Sequence, residues 1–231
     1  MQPNVDARRV GIVGHSEGGI IAAMVAAGAP EDVAFIVMLA GTGLKGVDLK
    51  SLQDATVRRA EAMPEALVRL NRDQERELFE IAASDRDHAQ ALAAMAAATS
   101  ALPEETRMTL DIPVEGLPVE VYEELLTPWV RRFLQIDPRV SLAKVKCPVL
   151  ALIGEKDLQV PPTENLAQIT RALAARINPR SVVRELPGIN HNLQTARTGK
   201  AGEYFLIEET VAPLVLDTVS AWLTEVAAAD G

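Results

Sequence analysis

Ser16 stands two positions from a glycine on either side, in Gly14-His15-Ser16-Glu17-Gly18, where an apolar run gives way to an alanine-rich segment. That spacing is the one a nucleophilic serine needs. A serine on a sharp strand-to-helix turn takes a strained backbone conformation, and small residues at the flanking positions let strand and helix approach closely enough to lift the hydroxyl into the open. Gly14 and Gly18 are both expected to serve this approach. The amide of Glu17, at the start of the following helix, is expected to donate to an oxyanion.

A serine hydroxyl is a weak nucleophile until a base takes its proton, so the chain must also supply a histidine and an acid that orients it. Three histidines are available. His15 adjoins the serine and is expected to point to the other side of the turn, in a structural role. His88 lies in a charged helical stretch and is expected on a solvated face. His191, in "LPGINHNLQ", follows a predicted strand in a loop rich in Gly and Asn. That loop falls at the edge of the sheet where open α/β sheets bind their ligands, which makes His191 the candidate base. Asp157 closes "VLALIGEKD" on the same rim and is the candidate acid. Glu155 is presented by the same turn and rivals it. Asp137 and Asp217 are further carboxylates in range, Asp217 being expected to face water on the last helix.

These side chains need elements to hold them. Val10-Gly11-Ile12-Val13 is β-prone, and "EGGIIAAMVAAGAP" reads as a helix stopped by Gly28 and Pro30. "VAFIVML" (33–39) is continuously apolar, as a parallel strand covered on both faces should be. From about Gly41 to about Lys144 the sequence is helix-forming and rich in charge, with Leu67, Leu70, Leu78 and Ile81 at helical spacing. The alanines of 89–98 read as a close helix contact. Strand and helix then alternate again: "CPVLALIGEKD", "PPTENLAQITRALAARI", "SVVRELPG" and a last helix interrupted or begun at Pro213. The fold class is therefore α/β with a parallel sheet. Residues 1–41 and 145–231 form its core, and 42–144 form a helical cap or lid inserted into it.

Composition narrows the function. With 23 Lys and Arg against 32 Asp and Glu the chain carries a formal charge of -9, and no basic cluster follows a phosphate backbone, so nucleic acid is not expected as a partner. The single cysteine, Cys147, excludes an internal disulfide and a Cys-rich zinc site, and is expected as a buried residue at a strand edge. No run approaches the length of a membrane span and the N-terminus has no apolar signal core. The expectation is a cytoplasmic protein of 231 residues with no metal or organic cofactor and no membrane partner.

In "GIVGHSEGG", "TPWVRRFLQIDP", "VKCPVLALIGEKDLQVPP", "LPGINHNLQTARTG" and "EYFLIEETVAPLVLDTVSAWL" the chain resembles the α/β-hydrolase family, and within it the serine esterases with a helical cap. The order Ser16, Asp157, His191 is the one that family uses. The resemblance implies an acyl-enzyme on Ser16, His191 as base, Asp157 as orienting acid, and small-molecule carboxylic esters as substrates. It also implies a cap that lines the substrate pocket, to which Trp129 or Phe133 contributes unless they are simply core aromatics.

In relatives of this kind the elbow strand is the fifth, and an upstream loop gives the second oxyanion donor. Here the elbow strand begins at residue 10 and no "HGG"-type loop occurs. The sequence thus reads as the C-terminal part of such a fold, with a truncated parallel sheet from the elbow strand onward and Glu17 as sole donor. A missing donor costs about 10² to 10³ in turnover. The apolar edge strand left open is expected to pair with a second copy of the chain in a homodimer. The leading expectation is a serine carboxylesterase. Its alternatives are a catalytically impaired remnant that acts as a binding module, and a serine peptidase or thioesterase, which the sequence does not separate from an esterase.

Overall fold

The structure, a computed structural model, describes residues 5–176 and 178–228. The chain forms two compact units, one of residues 1–44 with 137–231 and one of residues 45–136. In chain order, the first stretch gives β1 (Ile12–His15), α1 (Glu17–Gly28) and β2 (Ile36–Leu39). The middle stretch gives α2 (Gly46–Ala60), α3 (Glu65–Ala82), α4 (His88–Ser100), α5 (Glu104–Thr109), α6 (Val119–Leu125) and α7 (Pro128–Gln135). The last gives α8 (Pro138–Leu142), β3 (Val149–Gly154), α9 (Pro162–Leu173), β4 (Val182–Leu186), α10 (Ala201–Tyr204) and α11 (Pro213–Ala228).

The four strands pair in parallel in the order β1-β2-β3-β4. Parallel neighbours need crossovers, and helices supply them, which is why β2 and β3 are apolar on both faces. Val37, Leu150 and Leu152 share one core with Leu186, Val215, Trp222 and Val226, so α11 covers that face. Side chains alternate along a strand, so Ile36, Met38, Val149, Ala151 and Ile153, all fully buried, belong to the opposite face. There Ala22, Ala23 and Ala26 of α1 are buried with them, small enough to bring the helix axis close to the sheet. The α/β class and parallel sheet expected from the sequence are what the chain adopts. The first strand sits later than the β-prone run, at Ile12–His15 rather than Val10–Val13. Pairing with β2, from Ala34 N–H to Val10 O (2.8 Å) through Ser16 N–H to Leu39 O (2.8 Å), carries the ladder up to the serine.

The helical unit packs around Val47, Leu78, Phe79, Ala82, Ala91, Met95, Tyr122, Leu126 and Leu134. On α3 the fully buried apolar positions are Val68, Leu78, Phe79 and Ala82, so the buried stripe is turned from the Leu67, Leu70, Ile81 spacing, which is only half-buried. Ala91 and Met95 are the contact positions of the alanine-rich α4. Its start is fixed by a capping box, Asp87 accepting from Gln90 N–H while the Gln90 side chain accepts from Asp87 N–H. Gly46 N–H donates to Ile136 O (3.0 Å), tying the two ends of the unit together. Among the described residues no helix is long and apolar enough to cross a membrane.

Candidate active site

Ser16 lies between the last residue of β1 and the first of α1, with φ 54° and ψ -119°. An L-residue held there stores roughly 1–3 kcal/mol of strain, and such strain survives only where the surroundings over-determine it. They do so here. Ser16 N–H is held by Leu39 O of β2, and Ser16 O accepts from Gly19 N–H (3.0 Å). A Cβ at Gly14 would overlap the Gly18 carbonyl, so strand and helix do touch through this glycine. A Cβ at Gly18 would meet nothing within 4 Å. Of the two glycines that flank the serine, the close approach therefore needs Gly14 and not Gly18, and the expectation for Gly18 is corrected; on the helix side it is Gly19 that packs tightly, where a Cβ would lie 3.2 Å from Gly41 Cα. Glu17 opens α1, where the first-turn amides point out of the helix and give its start a partial positive charge.

Asp157 follows β3 and is 1% exposed. Its Oδ1 accepts from the amides of Gln159 (2.9 Å) and Val160 (2.7 Å), which fix the carboxylate in the turn. His191, 5% exposed in the loop after β4, places Nδ1 2.9 Å from Oδ2 and 3.1 Å from Oδ1 of Asp157. A carboxylate only accepts, so Nδ1 is the donor, and in the neutral ring the lone pair is then on Nε2. Glu155 points elsewhere. It is exposed, its Oε2 accepts from Gly188 N–H (2.9 Å) and its Oε1 from Lys156 Nζ (3.0 Å). The Gly188 amide first, and then Lys156, holds its carboxyl below the ordinary range. Asp137 caps α8 and pairs with Arg139, and Asp217 is exposed on α11.

The turn after β3 and the loop after β4 are stitched together. Glu155 N–H donates to Leu186 O (2.8 Å) and Lys156 N–H to Ile189 O (2.9 Å). A Cβ at Gly154 would overlap the Ile189 carbonyl, so glycine is required where the two segments meet. Buried Asn190 accepts from Gln194 N–H (2.9 Å) and donates to Gln194 Oε1 (3.1 Å), bracing the loop around His191. Neither Gly154 nor Asn190 was singled out from the sequence, although the paired asparagines of "GINHNLQ" are the signal for a side-chain-braced loop.

His15 reaches this loop. Its Nε2 donates to the His191 carbonyl (2.8 Å), and the two rings lie 5.0 Å apart, tilted by 50°. The chain neighbour of Ser16 therefore touches His191, and the serine turn and the His191–Asp157 pair share one rim of the sheet. Among the described residues no hydrogen bond joins the Ser16 hydroxyl to His191.

His88 starts α4, exposed and paired with Glu123 (2.9 Å). Trp129 is 61% exposed and stacks on Phe133 at 5.6 Å, so it is not a core aromatic. Cys147 is half-buried just before β3, and burial pushes its thiol up from the ordinary value. Among the described residues no group of three or more His, Cys, Asp or Glu side chains is arranged to hold a metal ion.

Among solved structures the chain is similar to a proline iminopeptidase of Mycobacterium smegmatis, at 16% identity over 97% of this chain and 68% of that one, with a TM-score of 0.48. It is similar to a structure described with the carboxylesterases of the thaumarchaeon Nitrososphaera gargenis, at 18% identity over 96% and 66% of the two chains, TM-score 0.45. It is also similar to the esterase RhEst1 of Rhodococcus sp. ECU1013, at 18% identity over 95% and 66%, TM-score 0.42. The chain spans 66–68% of the length of these three structures, and 60% and 57% of two further structures that it matches. No curated protein matches it. The family model described as "Alpha/beta hydrolase family" matches residues 2–198, a stretch that runs from before the strained serine to beyond the His191 loop. With that match over most of its length, the chain belongs to the alpha/beta hydrolase family.

Proposed function

We propose that the chain is a serine hydrolase of carboxylic esters, with Ser16 as nucleophile, His191 as general base and acid, and Asp157 as the group that orients and steadies His191. The observation that carries this reading is the bonding of buried Asp157 to His191 Nδ1 on the rim that also holds the strained Ser16. Asp157 fixes the tautomer whose Nε2 is ready to take a proton.

In the first half-reaction Ser16 Oγ bonds to the ester carbonyl carbon as its proton passes to His191 Nε2. The carbonyl electron pair moves onto oxygen, and the Glu17 amide at the start of α1 donates to that oxyanion. Collapse breaks the bond to the alkoxy oxygen, which leaves as alcohol with the proton from Nε2. Water then attacks the acyl-serine by the same route, giving a carboxylic acid and restoring Ser16. Asp157 stays charged throughout and stabilises the imidazolium, which is why it has to be both buried and braced by backbone amides.

The test is labelling with a serine-reactive fluorophosphonate and hydrolysis of short p-nitrophenyl esters, each beside Ser16→Ala. Stoichiometric labelling of the native protein, absent from the variant, together with turnover at least about 10³-fold above the variant, is expected. A native protein that neither labels nor turns over faster than Ser16→Ala refutes the proposal and leaves a ligand-binding module. Replacing the ester by an anilide of the same acid separates an esterase from a peptidase.

A further inference from the structure

The residue before the nucleophile has no step in the chemistry above, yet its side chain is bound. Side chains alternate along β1, so His15 stands on the face of Val13, whose register partner Val37 lies in the core covered by α11. The loop that carries His191 is pinned into that same core by Ile189 and Leu193, on either side of it. His15 thus meets the middle of the loop, where its Nε2 donates to the His191 carbonyl at 2.8 Å.

The other bonds of the loop run elsewhere. Asn190 is paired with Gln194 through backbone and side chain, and the Leu193 carbonyl accepts from Ala212 N–H (2.8 Å). These hold the loop to itself and to the start of α11. The Nδ1 bond to Asp157 holds the His191 ring to the turn after β3. The His191 carbonyl accepts from no backbone amide among the described residues, so the His15 ring is the protein group that satisfies it. One peptide bond joins His15 to Ser16, and the serine backbone is itself locked by Leu39 O. The base loop is thereby tied straight to the nucleophile turn.

We infer that His15 is a positioning residue whose Nε2–H, acting through the His191 carbonyl, sets where the His191 ring stands relative to the Ser16 hydroxyl. This rests on the roles of Ser16 and His191 given above. A carbonyl only accepts, so Nε2 is the donor, and Nδ1 of His15 has no partner among the described residues. Proton transfer between hydroxyl and imidazole depends steeply on their geometry, so a loosened base loop costs rate without costing substrate affinity.

The test compares three substitutions. His15→Leu removes the donor, His15→Gln carries an amide nitrogen at the reach of Nε2, and His15→Asn carries one only at the reach of Nδ1, short of the carbonyl. With p-nitrophenyl acetate, kcat of the Leu and Asn variants should fall about tenfold, the upper end for one neutral hydrogen bond, with KM unchanged. His15→Gln should stay within about threefold of the native rate. A residue that merely stabilised the fold would neither rank Gln above Asn nor separate kcat from KM. Should His15→Leu fail to fold, the equally polar Gln and Asn variants carry the comparison. A second readout needs no turnover: the far-downfield proton resonance of His191 Nδ1–H, recorded in the Ser16→Ala background. It should be sharp in that parent and with His15→Gln, and broadened by exchange with His15→Leu and His15→Asn. If the native protein does not turn over, the proposed function fails on its own and the resonance alone decides on His15. Native kcat in the Asn variant, a loss carried by KM, or a resonance that does not distinguish these proteins overturns the inference.

Discussion

Asp157 and Glu155 are two positions apart on one turn, and they differ in what each touches. Asp157 is buried, braced by two amides and bonded to His191, whereas Glu155 is exposed and clamps the Gly188 amide. Asp157→Asn turns an acceptor into a group able to donate to Nδ1, which favours the wrong tautomer. Turnover of p-nitrophenyl acetate should fall by about 10⁴. Glu155→Gln keeps an acceptor for Gly188 and should cost less than about tenfold. Steady-state kinetics on the two variants decides between them, and equal losses would contradict the assignment. The serine turn was legible in the sequence because Gly14, Ser16, Gly18 and Gly19 lie within six residues and meet one another, although Leu39 O across the sheet also holds the serine amide. Which of the two carboxylates meets His191 was not, because that is decided by the loop at 188–191, some thirty residues further on. The partner of His15 was not legible for the same reason: it is a carbonyl across the sheet rim, and no local spacing announces that.

α10 carries a clamp of its own. Glu203 accepts from the amides of Arg197 (2.8 Å), Thr198 (2.9 Å) and Gly199 (2.9 Å) and from the Thr198 hydroxyl (2.6 Å). The Thr198 hydroxyl first, and then these amides, lowers its carboxyl from the ordinary 4.5 to about 2. A folded value below the unfolded one means that folding favours the charged form. The contribution of Glu203 is complete above the ordinary value and is lost as the pH falls toward about 2. Melting temperatures of the native protein and Glu203→Gln, taken between neutral pH and pH 2, should differ most at neutral pH and converge in acid. A pH-independent gap would contradict this. Long elements with strong signals, such as the buried strand at 149–154 and the helix begun at Pro213, were readable in the sequence. A four-residue helix whose stability comes from one glutamate clamping a preceding loop offers no periodicity to read.

β1 ends the sheet, pairing with β2 alone among the described strands, and Val13 on it is 57% exposed. α1 also exposes Ile21, Met24 and Val25. An open, apolar strand edge of this kind favours pairing with another strand, and charges on such edges are how proteins prevent it. Light scattering at micromolar concentration should give the mass of a dimer, reduced to that of a monomer by Val13→Lys. A monomeric native protein would contradict pairing of two copies through β1. The α/β class was legible at this scale because continuous apolar runs at 36–39 and 149–154 leave no face for water. The pairing of those two runs with each other was not, since adjacency in a sheet depends on where the intervening chain goes.

That adjacency has a kinetic side. Ile36 and Val149 are register partners although more than a hundred residues separate them, and closing so long a loop is entropically slow. The bond from Gly46 N–H to Ile136 O changes the problem, because once residues 45–136 have folded their two ends are one hydrogen bond apart. The span between β2 and β3 then behaves as a short tether. Folding of the helical unit ahead of the sheet would thus make it a built-in splint, shortening the search by which the middle of the sheet is joined.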